Sequence, residues 1–162
     1  MGNEVRIARR DAALVMSKRL SVRLSEIGGV MGPAFGEAYR YLGARGIAGD
    51  GPPFVIYHGA PLADDPFDID VCAPVGRTID PPAGWQMQEL PAGTFATLVH
   101  VGPYDTIGTA YETMVAWIDA HGLTLSGPPR EVYLSGPETP PAQIRTLVEF
   151  PVLEVAAPVP TG

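Results

Sequence analysis

The chain reads as an α+β protein built as a tandem pseudo-symmetric duplication of a β-α-β-β unit, with antiparallel sheet, two main helices and a central cleft. Three observations carry that reading. Gly32, Ala34, Ala44, Gly46, Pro53, Tyr57 and Pro61 recur 76 residues later as Gly108, Ala110, Ala120, Gly122, Pro129, Tyr133 and Pro137. Similar side chains fill the gaps at the same interval: Phe35 with Tyr111, Tyr41 with Trp117, Leu42 with Ile118, Ile47 with Leu123. Each half also passes through the same order of strand-like and helix-like periodicity. With 162 residues, 46% of them hydrophobic, the chain can bury one sizeable core but not two. Residues 1–162 are therefore read as a single domain, with repeats at about 5–76 and 85–153 and a loose Ala/Pro tail at 154–162.

The first strand is placed at 12–23, where β-branched and basic residues mix. A helical stripe follows through Met31, Ala34, Phe35, Ala38, Tyr41, Leu42 and Arg45, closed by Gly46. Pro33 has no N–H to donate and is expected in the first turn or at a kink. Gly28, Gly32 and Gly36, four apart, suggest close helix packing or clearance for a ligand. Gly51-Pro52-Pro53 breaks the chain before the β-rich run 54–58, and a turn-rich stretch at 60–66 leads to 67–75. There Phe67, Ile69 and Val71 alternate with Asp68, Asp70 and Cys72, the pattern of a half-solvated strand.

Pro81-Pro82-Ala83-Gly84 marks the seam between the halves, and then the order repeats. Residues 85–101 read as a long β segment bulged or bent at Pro91-Ala92-Gly93. Residues 104–121 read as a helix with Ile107, Tyr111, Met114 and Ile118 on one face, Asp105 as N-cap and Gly122 at its end. Runs at 130–134 and 146–152 complete the second unit. Nineteen glycines and eighteen prolines approach the level of disordered chains, but their placement at twin turns argues for order.

A formal charge of −7 would repel a phosphate backbone, so no direct nucleic-acid partner is expected. Arg6, Arg9, Arg10, Lys18, Arg19 and Arg23 are strand-spaced and suggest a solvated strand face. The lone Cys72 lies among apolar neighbours and reads as a buried, inert thiol. His58, His100 and His121 lack a ligand spacing, so neither metal nor cofactor is expected. Charges interrupt any leader-like run near the N-terminus and no segment has the length of a membrane span, which points to the cytoplasm.

One position breaks the repeat with a charge: Val55 of the first half corresponds to Glu131 of the second. On a strand, Glu131 shares a face with Tyr133, as Val55 does with Tyr57. Glu131 is then either simply solvated on an edge strand, or paired with Arg130 or Arg145, or a desolvated carboxylate at the base of an aromatic cleft. In the second case it attracts an organic cation or serves as a general base. Tyr57, Tyr133, Tyr104, Phe35, Trp85 and Phe150 are the candidate cleft aromatics, with Met31 at the helix start.

Gly102-Pro103-Tyr104, the helix ending at Trp117-Ile118 with Gly122, and the strand Arg130-Glu131-Val132-Tyr133 together resemble the GyrI-like small-molecule-binding family. The resemblance covers almost the whole chain and implies the same tandem fold. It also implies a function. Family members serve as effector-binding domains of multidrug-responsive bacterial transcription regulators, where the residue matching Glu131 neutralises lipophilic cations among aromatic side chains. Others stand alone, one as a DNA gyrase inhibitor, and some are similar to hydrolases that open cyclopropane rings of DNA-alkylating compounds. In a hydrolase of that kind Glu131 would activate water, with Tyr133 beside it. No helix-turn-helix precedes the first repeat, so the expectation is a stand-alone binder of bulky aromatic or cationic small molecules. Hydrolysis is the alternative, and a protein partner such as gyrase a second one.

Overall fold

The computed structural model describes residues 4–59, 65–136 and 138–153. The twin prolines Pro61 and Pro137 and the tail at 154–162 lie outside the described residues. Eight strands form one curled antiparallel sheet: β1 (Arg6–Arg10), β2 (Ala13–Val22), β3 (Phe54–His58), β4 (Phe67–Pro74), β5 (Gln86–Leu90), β6 (Gly93–Val101), β7 (Arg130–Tyr133) and β8 (Arg145–Val152), in the order β1-β6-β8-β7-β3-β4-β2-β5. Helix α1 (Ile27–Ala44) follows β2, and helix α2 (Gly108–Ala120) follows β6. Among the described residues no helix is long and apolar enough to cross a membrane.

The helices pack by matched residues. Ala34, Ala38 and Leu42 of α1 are buried against Met16, Val55, Ile69 and Val71, while Ala110, Met114 and Ile118 of α2 are buried against Ala96, Leu98, Val148 and Phe150. Both helices stop in the same way. Gly46 and Gly122 adopt φ of 65° and 63°, a region that costs a side chain but not glycine. Their amides return to Gly43 and Asp119, and Ile47 and Leu123 bond back to the carbonyls of Leu42 and Ile118. This is a Schellman closure with its apolar contact made by twin residues.

The 76-residue interval holds from Gly32 and Gly108, through both helices, to Tyr57 and Tyr133, but not before the helices. The 3-10 turns Leu24–Glu26 and Tyr104–Thr106 are 80 residues apart, whereas Ala44 and Ala120, which end the helices, are 76 apart. The first half thus carries four extra residues, Gly28 to Met31, about one additional helical turn at the start of α1. Pro33 follows that turn, inside the helix. A Cβ added at Gly28, Gly32 or Gly36 would meet nothing within 4 Å, so close helix packing is not what places glycine there.

Other expectations are corrected by strand pairing. Residues 85–101 are not one bent strand. At Pro91-Ala92 the chain switches partners, with β5 pairing β2 and β6 pairing β1 and β8. The strand expected at 12–23 is β2, and ahead of it stands a further short strand, β1, set off at Asp11-Ala12. Each half lends its leading short strand to the edge of the other. Strand β4 is not half-solvated, because every residue from Ile69 to Pro74 is buried between β2 and β3. The early basic residues are not simply a solvated face: Arg10 bonds Glu149, Arg19 bonds Asp70, and Lys18 lies 3.6 Å from Glu37. Asp105 does not cap α2, whose N-cap residue is Ile107 with no side-chain hydrogen bond.

Candidate functional site

The two halves join where β3 meets β7, with Phe54, Val55 and Ile56 opposite Val132, Glu131 and Arg130. Val55 and Glu131 are thus twins in the repeat and direct partners in the ladder, so a pseudo-two-fold axis passes between them. Strand alternation puts Tyr57 and Tyr133 on the same face as this pair, beneath the helices. The Tyr57 and Tyr133 hydroxyls each lie 3.1 Å from Glu131 Oε1 and 3.2 Å from one another. From α2, the Tyr111 hydroxyl donates to Glu131 Oε2. From the extra turn of α1, Met31 Sδ lies 3.5 Å from the Tyr133 hydroxyl. Phe35 and Tyr104 both meet the Tyr133 ring edge-on, at 5.9 and 6.0 Å between centroids.

Three acids among the described residues are buried, and their surroundings differ. Asp70, 1% exposed, bonds Arg19 at 2.8 and 3.1 Å and His58 at 2.7 Å. Burial alone would raise its carboxyl, but the Arg19 and His58 bonds and charges hold it below the ordinary value. Glu149, also 1% exposed, is clamped by Arg10 and Arg130 on the face of the sheet away from the helices. Glu131, 8% exposed, forms no ion pair among the described residues, and only phenols bond it. Arg130, its neighbour in sequence, points to the opposite face, where it bonds Glu149 and lies over Phe54 and Phe95.

The phenols feel this charge. Burial, reinforced by the Glu131 charge, pushes the Tyr57 and Tyr111 hydroxyls far above the ordinary phenol value. Tyr133 is raised by burial, then by Tyr57 and Glu131. All three remain O–H donors at any physiological pH. An ionised carboxylate accepts only, so three donors around it are chemically matched.

Tyr104 is held by a small clip. Gly102, at φ 135°, lets the chain turn over His100, whose Nε2 lies 3.2 Å from the Pro103 carbonyl and 3.1 Å from Thr106 Oγ1. The turn leaves Tyr104 46% exposed above Tyr133. Thr146 lies opposite Tyr133 on β8 and is fully buried. Along one side of α2, Tyr111, Glu112, Val115, Ala116 and Asp119 line a shallow, wide-open surface depression.

Of the residues singled out in the sequence, Met31, Phe35, Tyr57, Tyr104 and Tyr133 gather around Glu131. Phe150 stands one layer back, its ring edge-on to Tyr111 at 5.7 Å. Trp85 lies elsewhere, buried in the core under α1 with its indole N–H donated to Glu37 and Lys18 over its ring. Sequence reasoning passed over Tyr111, and the signal was present: at that position phenylalanine in the first half becomes tyrosine in the second. Cys72 is fully buried, and burial pushes its thiol far up. No cluster of three or more His, Cys, Asp or Glu side chains able to hold a metal occurs among the described residues.

The family model described as GyrI-like small molecule binding domain matches residues 3–153. No curated protein matches the chain. Among solved structures, the C-terminal domain of EcmrR is 26% identical, with a TM-score of 0.77 over 94% of this chain and 98% of that one. EcmrR in complex with DNA is 25% identical with a TM-score of 0.79, and there the chain spans 58% of the neighbour's length. SAV2435, solved bound to tetraphenylphosphonium, shares the fold at 12% identity and a TM-score of 0.65, over 93% of this chain and 94% of that one.

Proposed function

The chain belongs to the GyrI-like small molecule binding domain family, and from that premise we propose that it binds bulky aromatic or cationic lipophilic molecules in a cleft with Glu131 at its base. The observation that carries the reading is the contrast among the buried acids. Asp70 and Glu149 have their cations built in, and among the described residues Glu131 does not. A buried carboxylate without a counter-charge is a standing attraction for a positive ligand, and removal from water strengthens that attraction. Aromatic faces add about 0.5–2 kcal/mol each where they meet the cation. Tyr57, Tyr104, Tyr111, Tyr133 and Phe35 supply them. Tetraphenylphosphonium, found on SAV2435, is a suitable probe.

Hydrolysis asks for a water molecule against the Glu131 carboxylate, where phenol oxygens already sit, so binding without turnover is the reading put forward. The test is a calorimetric titration with tetraphenylphosphonium and with its neutral isostere tetraphenylmethane, the latter solubilised at low concentration in cyclodextrin. The expected result is a preference of at least tenfold for the cation that shrinks as salt is replaced by lipophilic competitor cations. Equal binding of the two would refute the electrostatic part of the reading.

A further inference from the structure

On the face of the sheet away from the helices, the second half carries a buried ion cluster that the binding reading does not use. Glu149 is 1% exposed. Arg10 reaches its Oε1 at 2.8 and 2.6 Å, and Arg130 Nε reaches its Oε2 at 3.0 Å. Arg130 is the residue next to Glu131, and its guanidinium lies over Phe54 and Phe95, 5.1 and 4.1 Å from the ring centroids.

The repeat shows that packing does not require these charges. Arg130 is the twin of Phe54, and each faces a partner on the last strand of its half, Cys72 on β4 and Glu149 on β8. Arg10 and Leu90 are the closing residues of the leading strands β1 and β5. Where the second half has Arg130, Glu149 and Arg10, the first has Phe54, Cys72 and Leu90, all buried in one apolar cluster. A buried ion cluster is weak support for a fold, since well-packed apolar residues of similar volume often stabilise as much or more. This cluster stands in the half that also carries Glu131.

We propose that Glu149 sets the sign of the electric field in the cleft: by neutralising Arg130 from behind the sheet, it leaves the charge of Glu131 uncancelled on the helix side. The inference rests on the cation-binding reading above and adds a residue that acts on the site without touching the ligand.

The argument is one of distance and count. Neighbouring side chains on a strand point to opposite faces, and only the thickness of the backbone separates those faces. Two unit charges roughly 10 Å apart, at an effective dielectric constant of about 20, still change a binding constant about tenfold. Glu131 and Glu149 set against Arg10 and Arg130 sum to zero. Without the Glu149 charge the same set is net positive, and the one negative charge facing the cleft has two positive ones behind it. Arg130 has the larger share, because its side chain is 14% exposed, whereas that of Arg10 is 39% exposed and screened by water.

In the experiment, tetraphenylphosphonium and tetraphenylborate, ions of one shape and opposite charge, are titrated separately into the intact protein, with circular dichroism as the control for fold. The ratio of the two affinities cancels any change that weakens both ligands alike, which is what a merely structural role of Glu149 would produce. Glu149→Gln is expected to lower the preference for the cation at least about threefold. Arg130→Phe leaves Glu149 paired with Arg10 and is expected to raise that preference by about the same factor. Arg130→Phe combined with Glu149→Cys, the pair present in the first half, removes one charge of each sign and is expected to leave the ratio within about twofold of wild type. If Glu149→Gln loses its fold, Arg130→Phe compared with the double variant isolates the Glu149 charge. Ratios unmoved in the folded variants, or both ligands weakened alike, overturn the role of Glu149 and leave cation binding standing. A wild type that binds both ions equally while the ratio still moves in the variants overturns the cation preference and leaves the role of Glu149 standing. Failure of both ions to bind overturns both.

Discussion

The first half of the molecule and the second use the same strand–strand–helix–strand–strand frame and differ at its centre. Around the pseudo-two-fold axis, β3 offers Val55 and Tyr57, and β7 offers Glu131 and Tyr133; above them α1 offers Phe35 and α2 offers Tyr111. Two substitutions, one carboxylate and one hydroxyl, turn an apolar surface into a charged one. The lesson is geometric. Because twin positions 55 and 131 are also ladder partners, a faithful copy of Glu131 in the first half would set two carboxylates directly opposite one another. A charge on the axis can be contributed by one half only.

Breaking that asymmetry gives the largest expected effect. Val55→Glu would place a second buried carboxylate beside the first and should destabilise the fold by on the order of 3–5 kcal/mol at pH 7, measured by urea denaturation. One of the two carboxyls is then forced to hold its proton with a raised value, so the deficit should shrink as the pH is lowered toward 5. An unchanged midpoint would mean that the two positions do not share one site.

Restoring symmetry the other way is milder. Glu131→Val leaves Tyr57, Tyr111 and Tyr133 without their acceptor and should cost about 1–3 kcal/mol while abolishing any preference for cations. Alkaline titration separates the phenols from the carboxylate. Tyr57, Tyr111 and Tyr133 are raised in the folded state, so the unfolded chain releases their protons first. Stability should be level below the ordinary phenol value near ~10 and fall as the pH rises above it. Tyr111→Phe should remove about 1.4 kcal/mol per pH unit from that slope, read from denaturation midpoints between pH 9 and 11.5. The smallest effect concerns the four extra residues of α1, which have no counterpart in α2. A Cβ at Gly29 meets nothing within 4 Å, so Gly29→Ala should stabilise the helix by about 0.5–1 kcal/mol in thermal unfolding.

Much of this was readable from residues. The paired Schellman closures at Gly46 and Gly122, the matched core positions Ala34 with Ala110 and Leu42 with Ile118, and the face shared by Glu131 and Tyr133 all follow from local periodicity, which one sequence contains. What escaped depended on partners far along the chain. Strand β1 is short and basic, and its partner β6 lies some 90 residues away, so alternation had little to register. Asp70 made β4 look half-solvated because nothing local announces that Arg19 and His58 will meet it. Trp85 was assigned by its aromatic character, but periodicity reports that a ring is buried and not where; Glu37 and α1 claimed it. Tyr111 was overlooked for the opposite reason. Phenylalanine and tyrosine were counted as equivalent in aligning the halves, and the single oxygen that distinguishes them reaches the carboxylate.

The central claim is that the unpaired charge of Glu131 holds the ligand. It is tested most directly by calorimetric titration of wild type and Glu131→Gln with tetraphenylphosphonium, with thermal unfolding of both proteins as the control for fold. The substitution keeps the side chain's size and removes its charge. The account predicts that affinity falls at least tenfold, about 1.4 kcal/mol, with the folded state retained. Equal affinity in two equally folded proteins would contradict it.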